Sequence, residues 1–135
     1  MTEPTYTISF WLRKVAVLVD GSENSLRALD LAIDFAMRYG SQITILHACE
    51  NCNESEVREK IEKRTNGKVS YELKILKYSS KESSASNELL KHINESTYDA
   101  VIMGARGLSI NSDLNIGSVA TAIALNAITT VILVR

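Results

Sequence analysis

Short runs of branched apolar residues alternate along this chain with stretches of helical periodicity, and that alternation leaves few folds open. Residues 14–19 (KVAVLV) are apolar without interruption after Lys14, which suits a strand buried on both faces of a parallel sheet. The run stops at Asp20-Gly21-Ser22. Leu26, Leu29, Ile33, Ala36 and Met37 then recur at helical spacing, with Ser22 or Asn24 able to cap the helix and Gly40 to end it. The unit repeats with a strand at 42–47 (QITILH) and a short, highly charged helix at 54–64, stopped near Asn66-Gly67.

Val69, Tyr71, Leu73 and Ile75 alternate with polar residues, so the third strand has one wet face or lies at the sheet edge. After a serine-rich segment, Ser84 or Ser86 can cap a helix that buries Leu89, Leu90 and Ile93 and runs to about Thr97. Residues 100–103 form a fourth strand, 118–126 a helix and 130–134 (TVILV) a fifth strand. The reading is α/β: a three-layer sandwich around a five-stranded parallel sheet, because right-handed crossovers put helices on both faces. Residues 14–135 are expected to be one domain. The extension 1–13 is either an added strand through Ile8, Phe10 and Leu12, with Trp11 over an apolar seam, or a partly ordered arm.

Fifteen Lys and Arg against sixteen Asp and Glu give a net charge of -1, which provides no field to gather nucleic acid or anionic lipid. No apolar run approaches the roughly 20 residues of a spanning helix, and the N-terminus lacks a basic segment followed by a continuous apolar stretch and a cleavage site, so no secretory leader is expected. A cytoplasmic protein without nucleic-acid or membrane partners is expected.

Ligands of open parallel sheets gather beyond the carboxyl ends of the strands, where strand order reverses. That directs attention to Asp20, Ala48 and the loop after Met103. The loop reads Met103-Gly104-Ala105-Arg106-Gly107, then nine residues, then Gly117-Ser118 opening the last helix. Glycines let backbone amides approach phosphate oxygens, and a helix N-terminus offers unpaired N–H groups. The pattern is neither GxGxxG nor GxxxxGK[ST].

GxxG, nine residues and G[ST], after a strand ending Val19-Asp20-Gly21-Ser22, a second ending Leu46-His47 and the segment 98–104 (YDAVIMG), resembles the universal stress protein family in its nucleotide-binding variant. The resemblance spans 14–134. It implies a Rossmann-like fold and an ATP-binding stress-response or regulatory protein that acts as a homodimer. Leu18, Val19 and Asp20 would line the adenine and ribose, with Ala48 bordering the base. Met103, Gly104, Arg106 and Gly107 would line ribose and phosphates, and Gly117, Ser118 and Val119 would hold the phosphate tail, with Mg²⁺ as an accompanying ion. The homodimer would pair the last strand, Val131, Ile132, Leu133 and Val134, with its two-fold mate. This sequence departs from the family in having Thr129-Thr130 where a proline is usual, and no Lys or Arg in loop 108–116, leaving Arg106 as the main counter-charge.

Other readings are a dimerisation module of the same fold without nucleotide, and a slow ATP hydrolase. No catalytic residue is assigned. His47 is expected to be packed or hydrogen-bonded at its strand end, and His92 to lie on a solvated helix face. Cys49-Glu50-Asn51-Cys52 is expected to be a pair of reduced thiols, dispensable for nucleotide binding. The two cysteines supply half of a four-ligand zinc site and the two histidines are far apart in sequence, so metal would require a second chain and no metal site is assigned.

Overall fold

The computed structural model describes residues 11–106 and 118–135. Its elements alternate as the sequence implies: β1 (Lys14–Leu18), α1 (Glu23–Tyr39), β2 (Gln42–Cys49), α2 (Glu54–Thr65), β3 (Tyr71–Lys77), α3 (Ala85–Glu95), β4 (Ala100–Gly104), α4 (Ser118–Asn126) and β5 (Thr130–Val134). All strand pairs are parallel and the order is β3-β2-β1-β4-β5.

The chain therefore winds outward from β1 to β3, crosses back, and winds the other way through β4 and β5. Strand order reverses between β1 and β4, where Leu18 stands opposite Met103. That pair marks the cleft available to a ligand.

β1 and β4 are the most continuously apolar strands because both of their faces are covered. Val15, Val17, Ala28, Leu29, Ile45, Ile61 and Ile102 fill the layer between the sheet and α1 and α2. Ala16, Leu18, Leu46, Leu89, Ile93, Val101, Met103 and Ile123 fill the layer under α3 and α4. β3 and β5 are the edges, and no residue of either is fully buried. The alternating pattern of β3 thus reports an edge, as its sequence implies.

Local signals set the helix ends. Ser22 accepts from the Ser25 amide at 3.2 Å, and Ser84 accepts from the Asn87 amide at 3.1 Å, caps worth about 1 kcal/mol each. Gly40 ends α1 in the left-handed region at φ 72°, where its amide bonds the Ala36 carbonyl.

Some boundaries and exposures differ from expectation. β2 runs two residues past His47, because Ala48 and Cys49 go on pairing with Leu76 and Lys77. Met37 continues the spacing of the apolar stripe but is 62% exposed, while its neighbour Ala36 packs on the core. Trp11 is 70% exposed and covers no seam, while Leu12 packs on the core; Ile8 and Phe10 lie outside the described residues. His92 is half-buried rather than solvated: its Nε2 meets the Tyr98 hydroxyl at 2.8 Å, and burial holds its imidazole below the usual range.

Candidate functional site

The first βα turn is fixed by its own side chains. Asp20 Oδ1 accepts from the Ser22 amide at 2.9 Å, the Asp20 amide donates to Ser25 Oγ at 3.2 Å, and Ser25 Oγ donates to the Ser22 carbonyl at 2.9 Å. Asp20 therefore serves the turn as well as the cleft, so its position does not mark it for ligand alone. Lys60 of α2 reaches over to donate to the Gly21 carbonyl at 3.2 Å.

Across the cleft, Asn24 ties three elements together. Its Nδ2 donates to the Val134 carbonyl at 3.1 Å, and its Oδ1 accepts from the Arg106 amide at 2.6 Å. The Ala105 amide also bonds the Val134 carbonyl, at 2.8 Å. The start of α1 is thereby held against the segment leaving β4. The approach is close enough that a Cβ on Gly104 would stand 2.7 Å from Asn24 Oδ1 and 3.0 Å from the Asn24 backbone carbon.

A cavity of about 300 Å³ opens at this reversal point. Its walls include Leu18, Val19, Asp20, Ala48, Met103, Gly104, Arg106, Ser118 and Val119, so strand ends distant in sequence converge on one space. Gly107 and Gly117 lie outside the described residues. The floor is apolar: Val19 and Met103 are each 2% exposed and Leu18 is 7% exposed. Asp20 and Arg106 are the charged side chains among the described wall residues. Such a space, apolar below with few polar groups at its rim, suits a flat, partly apolar ligand carrying a charged tail.

Ser25, Leu46, Tyr78, Ala85, Leu89 and Ala120 also line the cavity and were not assigned from the sequence. Leu46 follows from the strand-end rule, one turn of the pleat before Ala48. Tyr78, Ala85 and Leu89 arrive because α3 covers this face of the sheet, a placement that no local pattern announces. A larger groove of about 880 Å³, bordered by Lys14, Gln42, Tyr71 and Tyr98, lies at the amino ends of the strands. There Tyr71 is pushed up to about 12, by burial first and then by its hydrogen bond to Glu62.

Cys49 and Cys52 are not the free thiols expected. They are joined as a disulfide, with Cα atoms 5.5 Å apart. β2 runs to Cys49 and Asn53 caps α2, accepting from the Glu56 amide at 3.3 Å, so the intervening turn folds Cys52 back onto Cys49. His47 is buried as expected, with Nδ1 2.7 Å from the Val19 carbonyl. The structure also brings His47 beside both cysteines, with ligand atoms of the three residues within 4.8 Å of one another. The signal was present in the sequence as His-x-Cys-x2-Cys, but a count of CxxC ligands alone passes over it.

No helix of the described residues is long and apolar enough to cross a membrane. Residues 12–135 match the model of the Universal stress protein family. Among solved structures, the chain is similar to a universal stress protein in complex with cAMP, at 24% identity and a TM-score of 0.73, covering 91% of this chain and 96% of that one. A universal stress protein from Archaeoglobus fulgidus in complex with dAMP is 17% identical, with a TM-score of 0.68 and coverage of 92% and 98%. A third, from Lactobacillus plantarum, is 15% identical with a TM-score of 0.70, again covering 92% and 98%. Comparison with curated protein sequences gives no match.

Proposed function

The chain belongs to the universal stress protein family, and from that premise we propose that it is a regulatory protein that binds an adenine nucleotide, ATP with Mg²⁺, in the cavity at the carboxyl ends of β1 and β4. The observation that carries this reading is the convergence of Val19, Asp20, Ala48, Met103, Arg106 and Val119 on one apolar-floored space at the reversal point. Two similar proteins hold cAMP and dAMP, both adenine nucleotides.

A cavity of about 300 Å³ is at the lower end of ligand pockets. We assign it to the adenosine, with the base between Val19, Ala48 and Leu89 and the ribose toward Asp20 and Gly104. The phosphates would then extend past Ser118 to the amides opening α4 and to Gly107 and Gly117. Arg106 would supply the counter-charge.

Calorimetry with ATP, with and without Mg²⁺, tests this. One site per chain is expected. Ser118→Ala should lose one hydroxyl bond of about 0.5–1.5 kcal/mol, a roughly two- to tenfold weakening. Absence of binding at millimolar ATP would contradict the reading.

The protein is further proposed to act as a homodimer through β5. Among the described residues this strand pairs only with β4, and its other edge stands beside Leu133, 39% exposed, and Ile128, 78% exposed. A two-fold mate would cover that edge without any added element. Ile132 packs on the core and is a poor probe, whereas Leu133→Lys changes an exposed position. Sedimentation should give a dimer for the wild type and a monomer for Leu133→Lys. A monomeric wild type would leave β5 without this role.

A further inference from the structure

We infer that the reduced chain binds one thiophilic divalent cation, zinc in the first instance, through His47, Cys49 and Cys52. The inference does not rest on the nucleotide reading. None of the three residues lines the cavity, and strand parity explains why. Ala48 faces the α3 side with Leu46, while His47 and Cys49 share the opposite face with Ile43 and Ile45, under α1 and α2.

Three features fit a metal. The ligand atoms lie within 4.8 Å of one another, a spread that modest side-chain movement converts to a tetrahedral edge of roughly 3.8 Å for sulfurs bound at about 2.3 Å. His47 Nδ1 faces the Val19 carbonyl at 2.7 Å, and a carbonyl can only accept, so Nδ1 carries the proton and Nε2 the lone pair. That is the arrangement in which metal-bound histidines are commonly held. Cys52 immediately precedes the Asn53 cap of α2, whose N-terminal dipole favours a thiolate.

Two thiolates and one imidazole select zinc over magnesium or calcium. His47 and Cys49 are 6% and 7% exposed, while Cys52 is only half-buried and gives the ion its way in. Water takes the fourth position.

The disulfide must open first. Two equivalents of a small thiol do this, each disulfide sulfur leaving as a protein thiol while the two reductant sulfurs join in a new disulfide. Metal binding then releases the two thiol protons.

The test uses the full chain, reduced, freed of reductant under anaerobic conditions and titrated with Zn²⁺ against a chromogenic chelator, and with Co²⁺ by absorption. One metal per chain is expected, with a thiolate-to-cobalt charge-transfer band. Cys52→Ser, at a half-buried position, should weaken binding by at least about tenfold and remove much of that band. His47→Gln should do likewise, with its far-UV spectrum recorded as the check on folding. The air-oxidised protein should bind no metal at this site. Substoichiometric binding by the reduced chain, a cobalt complex without sulfur charge transfer, or equal affinity in Cys52→Ser would each overturn the inference.

Discussion

Gly104→Val should lower the melting temperature by about 10 °C, and Gly104→Ala should already produce most of that loss. The reason is local. A Cβ at this position meets Asn24 Oδ1 at 2.7 Å and the Asn24 backbone carbon at 3.0 Å, so moving the side chain alone does not clear the space. Asn24 cannot retreat freely, because it bonds Val134 at 3.1 Å and Arg106 at 2.6 Å. Overpacking of this kind costs about 1–3 kcal/mol, and each strained hydrogen bond adds about 1 kcal/mol. For a chain of 135 residues a kcal/mol moves the melting point by roughly 3–5 °C. Gly40→Ala provides the contrast. Nothing lies within 4 Å of its added Cβ, and the positive φ of 72° alone should cost about 1 kcal/mol. Equal melting points for Gly104→Ala and Gly40→Ala would show that the contact between α1 and β4 is not the constraint argued here.

The second large effect is expected from Ala48→Trp, which should abolish nucleotide binding while the protein stays folded. Ala48 lines the cavity floor, opposite Leu76 across the sheet, and packs on the layer formed by Leu46, Leu89 and Val119. An indole there has a space of about 300 Å³ to occupy and apolar walls to meet, so its burial offsets the strain of fitting it. The same volume is then lost to adenine. Calorimetry should show a loss of at least about a hundredfold, roughly 2.7 kcal/mol, with the far-UV spectrum unchanged. Wild-type affinity in a folded Ala48→Trp protein would remove the base from this cavity.

Much of this architecture was legible because its strands state their own surroundings. The uninterrupted apolar run from Val15 through Leu18 of β1 can be covered only by apolar layers on both faces, and the alternation through Tyr71, Leu73 and Ile75 marks β3 as an edge. Ser22, Ser84 and Gly40 end helices where their side chains, or the lack of one, permit it. The strand-end rule likewise points to Asp20, Ala48 and Met103, which line one cavity. It could not supply Tyr78 or Leu89, since which helix roofs a cavity depends on packing across the sheet rather than on local pattern.

The misread positions have a common cause. His92 looked solvated because its helix is polar around it, yet the chain returns through Tyr98 to give it a partner. The separation of the two histidines in sequence argues against a metal site at Cys49 and Cys52, whereas strand parity sets one of them, His47, on the same face as Cys49. In both cases the deciding neighbour was close in sequence but on the next element or the next pleat. Arg106 lines the cavity, and Gly107 and Gly117 lie outside the described residues.

The most direct test of the central claim is an amide and methyl NMR titration of the protein with ATP and Mg²⁺. The account predicts saturable shifts at Val19, Ala48, Met103, Ser118 and Val119, with little change at Lys14, Tyr71 and Tyr98 around the larger groove at the opposite end of the sheet. Shifts confined to that groove, or none at millimolar ATP, would contradict it.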